Sequence, residues 1–122
     1  MIHYGMNRFV FTFGHYVIKF PIFWRDDQAF IRGLLSNILE RVRYKLSHKH
    51  PALMPIIYCF PFGLFLIMRR CPIILRRKLT TEELEELPFI NIDNNERNMG
   101  IYKHHIVWFD YGNPDMRLKE IT

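Results

Sequence analysis

A chain of 122 residues has room for one small domain with a modest core, and none for a separate substrate domain. Hydrophobic residues make up 49% of it and aromatics 16%, with eleven Phe, a balance that excludes a disordered or low-complexity chain. The formal charge of +5, from 17 Lys and Arg against 12 Asp and Glu, favours contact with phosphates or acidic surfaces without naming a ligand.

Cys59 and Cys71 lie in or beside apolar runs, which predicts buried thiols in a reducing compartment rather than a disulfide framework. The most apolar stretch, residues 52–68, is short for a membrane span and is interrupted by Pro55, Pro61 and Gly63. Met1 to Gly14 offers no basic segment ahead of a clean apolar core. A cytoplasmic protein without membrane contact is the expectation.

In chain order, MNRFVFTF, the turn Gly14-His15 and YVIKFPIF predict a β-hairpin. Lys19 lies among apolar neighbours on the second strand, so its head must leave the sheet or meet an anion or carboxylate. A helix follows from Asp26 to about Leu46, capped by Asp26 or Asp27. Phe30, Leu34, Ile38 and Val42, with Ile31, Leu35 and Leu39 beside them, repeat at three and four and predict the buried stripe. Glu40 falls on the edge of that stripe, Arg32, Arg41, Arg43 and Lys45 are expected toward water, and Gly33 permits close packing.

PIIYCF, the turn Pro61-Phe62-Gly63 and LFLIM predict a second hairpin, central in a sheet, which Arg69 and Arg70 end. Thr80 and Glu83 form a capping box at the start of a short acidic helix, TEELEEL. IYKHHIVWF reads as one strand, placing His104 and His105 on opposite faces and so unsuited to chelate one ion. Asp93 and Asn98 precede that strand and Asp110 follows it. The fold class expected is α+β, a small antiparallel sheet with one long packed helix, in a single domain over residues 1–122.

Taken together, YVIK ending at Lys19, NILE with Glu40, the hairpin before Met68, DNNERN with Asp93 and Asn98, and FDYG with Asp110 resemble a strongly reduced protein kinase. The resemblance covers nearly the whole chain in order. It implies an ATP-binding site in the manner of the kinase amino-terminal lobe, with Lys19 at the phosphates and Glu40 fixing the lysine head. It places Met68 on the adenine side, Asp93 as the catalytic aspartate, and Asn98 and Asp110 as magnesium ligands. These are suitable residue types, because a nucleoside triphosphate needs a cation at its outer phosphates and hard oxygen donors for its metal. The chain departs from the family pattern in having no glycine-rich phosphate loop, in Asn91 and Ile92 before Asp93, and in the short interval from Met68 to Asp93.

The resemblance implies ATP and Mg as cofactors, and a homodimer would supply missing walls of the site. Three functions remain open on the residues: an ATP/Mg-binding, kinase-like protein with or without phosphotransfer, an inactive kinase-like protein that binds and regulates another protein, and a basic nucleic-acid-binding module. The last rests on Arg41, Arg43, Lys45, His48 and Lys49 and on Arg69, Arg70, Arg76, Arg77 and Lys78, with Tyr44 and Phe62 as stacking groups. Those basic residues are not interleaved with a regular aromatic platform in the sequence. Each candidate also has an ordinary reading: an edge-strand lysine at Lys19, a solvent-side helix glutamate at Glu40, and turns at Asp93 and Asp110.

Overall fold

The computed structural model describes residues 2–4, 7–47, 49, 51–75, 77, 79–86, 89–90, 99–111 and 117–118. It is an α+β chain built from small antiparallel sheets and one long helix. The main sheet has five strands in the order β1-β2-β3-β5-β4: β1 (Ile2–Tyr4), β2 (Arg8–Phe13), β3 (Tyr16–Pro21), β4 (Ile56–Cys59) and β5 (Leu66–Arg69). Between β3 and β4 runs α1 (Asp27–Leu46).

β2 and β3 form the predicted hairpin around Gly14, whose φ of +54° suits a residue without Cβ. β1 extends it by one strand, with Ile2 opposite Phe11. The second apolar hairpin also forms, turning through a 3-10 helix at Pro61–Gly63. Its strand β5 pairs with β3 and is central, whereas β4 lies at the edge. Cross-strand register puts Val10, Lys19 and Leu66 on one face, with Val17 and Met68. Phe9, Phe11, Phe20 and Ile18 occupy the other.

α1 starts where Asp26 accepts a hydrogen bond from the Ala29 amide at 2.7 Å, and the basic residues Arg43 and Lys45 lie in its last turn. Its orientation departs from the expectation: of the predicted stripe Phe30, Leu34 and Leu39 are half-buried and Ile31, Leu35, Ile38 and Val42 face water. The buried positions are Ala29, Gly33, Asn37, Glu40 and Arg43, while Ile31, Leu35, Ile38, Val42 and Leu46 are exposed. The helix thus turns polar and small side chains inward, because Lys19 already lies on the sheet face it covers and a buried cation must be matched before apolar area counts. Small residues also let the backbones approach: a Cβ on Gly33 would lie 2.5 Å from the Asn7 carbonyl and 2.6 Å from Pro21.

Residues 52–54 join the main sheet to a second one, β6 (Ile73–Ile74), β8 (Met99–Tyr102) and β9 (His105–Trp108), with β8 central. The Met54 amide donates to the Trp108 carbonyl at 2.8 Å and the Trp108 amide to the Ala52 carbonyl at 2.7 Å. The core lies along this seam, from Leu66 and Met68 through Leu53 and Met54 to Met99, Val107, Trp108 and Tyr111. The single strand expected over IYKHHIVWF is instead a hairpin, so His104 sits in its turn and only His105 is in a strand. Lys103 and His104 both take positive φ, at 50° and 69°, a turn that sequence signals flag when Asn or Gly is present.

A two-stranded pair joins β7 (Phe89–Ile90) to β10 (Arg117–Leu118). α2 (Thr81–Glu86) begins with the predicted capping box: the Thr80 amide donates to Glu83 at 2.9 Å and the Glu83 amide to Thr80 Oγ1 at 3.2 Å. Glu83 also pairs with Arg77 at 2.7 Å, which keeps this carboxylate in a surface ion pair. Both cysteines are free thiols, partly rather than fully buried, and burial pushes each pKa up. Among the described residues no helix is long and apolar enough to cross a membrane.

Candidate functional site

Lys19 reaches from the middle of β3 into the interface between sheet and helix. Its Nζ donates to both Glu40 carboxylate oxygens at 3.0 Å and to the Phe109 carbonyl at 2.5 Å, which uses its three donors. Burial lowers the Lys19 pKa, and the nearby Arg8 charge adds to that, while Glu40 opposes it. Glu40 has no exposed surface, so the two charges stabilise one another in place of water. The lysine and helix glutamate that the sequence singles out are thus brought together.

Arg8, on the same sheet face as Lys19, is a member the sequence reading missed. Its Nη2 lies 2.6 Å from Glu40 Oε1 and 2.6 Å from Asp110 Oδ1, and its Nη1 donates to Asn37 Oδ1 at 3.0 Å. Burial acts to lower its pKa, but attraction to Glu40 and Asp110 wins and the net direction is upward. Two cations and two carboxylates therefore form a balanced cluster. Asp110, just beyond β9, is its most open member, with 39% of its side chain exposed.

Asn37 and Arg43 were also missed, and both fix the helix. The Asn37 amide donates to the Lys19 carbonyl at 3.1 Å and to the Gly63 carbonyl at 2.9 Å, tying α1 to β3 and to the 3-10 turn. Arg43, expected toward water, is buried because it donates to the Tyr111 carbonyl at 2.7 Å; burial lowers its pKa, with Glu40 opposing. Tyr111 is buried in turn and donates to the Met54 carbonyl at 3.0 Å. Burial raises the Tyr111 pKa above the ordinary phenol value. A signal for Asn37, Glu40 and Arg43 exists in the sequence, since they recur every third residue behind Ala29 and Gly33.

Met68, assigned to the adenine side, is fully buried in the core between Val17 and Ile56 in register. Asp93 and Asn98 lie outside the described residues, as do His48, Arg76 and Lys78. The described residues fit a metal-nucleotide pair in part. Asp110 supplies an accessible hard oxygen beside two cations, yet among the described residues no group of three His, Cys, Asp or Glu is arranged to hold a metal ion. Comparison of the chain with known protein families, with curated proteins and with solved structures finds no match.

Proposed function

We propose that this chain is a reduced kinase-like protein that binds a nucleoside triphosphate, ATP, with magnesium at the Lys19–Glu40–Asp110 cluster. The single observation that carries the reading is the bidentate Lys19–Glu40 pair, formed between the third strand and the helix that follows it. The order of three strands, a helix and two further strands supports it. So does Asp110 in FDYG, one shared guanidinium away from Glu40.

Bound magnesium would supply charge neutralisation at the phosphates, with Asp110 as the described oxygen that would hold it and Lys19 and Arg8 as the cations of the same cluster. The chain's own residues set a condition on binding. Lys19 exchanges a protein acceptor for a phosphate oxygen, the Phe109 carbonyl being the one that is not an ion-pair partner. Asp110, which now accepts from Arg8, would have to give up that contact to serve as a metal ligand. Glu40 stays with Lys19 and holds its head in the site. Asp93 and Asn98 are carried as the catalytic and second metal-binding residues of this proposal.

A second reading is favoured by Arg8: a cation that already neutralises Glu40 and Asp110 suits a protein that keeps the ion-pair framework for stability and regulates another protein without turnover. Calorimetric titration of ATP, with and without magnesium, into the wild type and Asp110→Ala separates them. Magnesium-dependent heat lost in the variant is the expected outcome. No heat, together with an unchanged Tm at saturating ATP, overturns nucleotide binding and leaves the regulatory reading.

A further inference from the structure

α1 carries a second surface that the cluster above does not use. Ile31, Leu35, Ile38 and Val42 follow one another at four, three and four residues, and Leu46 continues the line one turn on. All five are exposed, Ile31 and Leu46 to about 60% (61% and 59%). This is the spacing of a helix-pairing seam, and it points away from the sheet. Scattered apolar residues on a surface need no explanation, but an unbroken stripe along a 20-residue helix marks an interaction face.

Phe62 widens that face. It is 81% exposed and holds φ at +66°, a conformation unusual for a bulky residue. Its neighbour Gly63 packs directly on α1 at Leu34 and Ile38, so the turn that carries Phe62 adjoins the helix next to a seam residue.

The charge around the seam identifies its occupant. Over α1 the exposed charges are Asp27 in the first turn, four residues before Ile31, and then Arg32, Arg41 and Lys45; the other carboxylate, Glu40, is buried against Lys19 and Arg8. The rim is therefore net positive, and every exposed charge of the helix beyond its first turn is basic. A second copy would bring the same cations against it, whereas a helix with an apolar stripe flanked by Glu or Asp would match both features. The seam is narrow, with Arg32 and Arg41 on either side of it, which suits one partner helix better than the broader apolar face of a helix lying in a membrane interface.

We infer that the outer face of α1, with Phe62, is a docking site for an acidic-rimmed amphipathic helix of a partner protein. This inference does not depend on nucleotide binding. Its test uses two designed helical peptides of about three heptads, both with Leu at the seam positions, one flanked by Glu and one by Lys. Fluorescence anisotropy with the full chain is expected to show the Glu-flanked peptide binding at least about tenfold more tightly than the Lys-flanked one. Leu35→Glu/Val42→Glu should remove binding, and Arg32→Glu/Arg41→Glu should invert the peptide preference; circular dichroism and Tm verify folding of both variants. Absence of binding by either peptide, or equal binding of both, overturns the inference. So does sedimentation of the wild type as a dimer that Leu35→Glu/Val42→Glu dissociates, which assigns the seam to a second copy. Co-sedimentation with phosphatidylcholine–phosphatidylserine vesicles without peptide binding overturns it in favour of a membrane surface.

Discussion

The two faces of α1 invert the usual division of labour in a helix packed on a sheet. The inner face presents Asn37, Glu40 and Arg43 to a buried cluster, and the outer face presents Ile31, Leu35, Ile38 and Val42 to water. Hydrophobic burial is roughly proportional to area and indifferent to direction, whereas an ion pair out of water is tolerated only with its partners in place. The contrast teaches that a helix is oriented by the residue it cannot leave unmatched. Here that residue is Lys19, fixed on the inner sheet face by strand register.

The sharpest way to break the comparison is to remove the central carboxylate. Glu40→Ala leaves Lys19 and Arg8 buried without their shared partner and is expected to cost about 3–5 kcal/mol, read by chemical denaturation. Replacing both members, as Lys19→Met/Glu40→Leu, should recover part of that loss, because it removes the desolvated charges instead of stranding one. A double variant less stable than Glu40→Ala would show that the pair is not what orients the helix.

Next in size is the close approach behind the cluster. Gly33→Ala drives a methyl group toward the Asn7 carbonyl and Pro21, both within 2.6 Å of the Cβ position, and is expected to cost about 1–3 kcal/mol although alanine is the better helix former. On the opposite face, Ile31→Gln should change stability by no more than about 0.5 kcal/mol. If the Ile31 substitution is the more damaging of the two, the outer face is covered within the folded chain and the comparison fails.

Much of this architecture is legible from residues. The Gly14 turn, the Asp26 cap, the Pro61–Gly63 turn and the Thr80–Glu83 box are local chemistry, and local chemistry needs no knowledge of the rest of the fold. The pairing of Lys19 with Glu40 was legible in another way, through the order of elements that the kinase resemblance supplies. The direction of α1 was not, since periodicity locates an apolar stripe but not what faces it. The same limit hid Arg8: nothing near it in sequence announces Asp110, which is brought to it only when β9 packs on residues 52–54. The Lys103-His104 turn was missed for a simpler reason, because the pair lacks the Asn-Gly or Asp-Gly signature of a two-residue hairpin turn.

The smallest expected effect comes from the surface counterpart of the buried cluster. Glu83 accepts from Arg77, from the Thr80 amide and lies where water reaches it; the Arg77 hydrogen bond, ahead of the Thr80 amide, holds its pKa down to about 2 from an ordinary value near 4.5. Between those two pH values the unfolded chain binds the proton more readily, so stability from this group is complete above about 4.5 and is lost as pH falls toward about 2. Side-chain NMR titration should find Glu83 far below the usual carboxylate range and show it returning toward that range in Arg77→Ala, while the Tm of that variant near neutral pH barely changes. A large loss of Tm would mean that an exposed ion pair orients structure here as strongly as the buried one, and the distinction drawn between the two faces of α1 would have to rest on something other than desolvation.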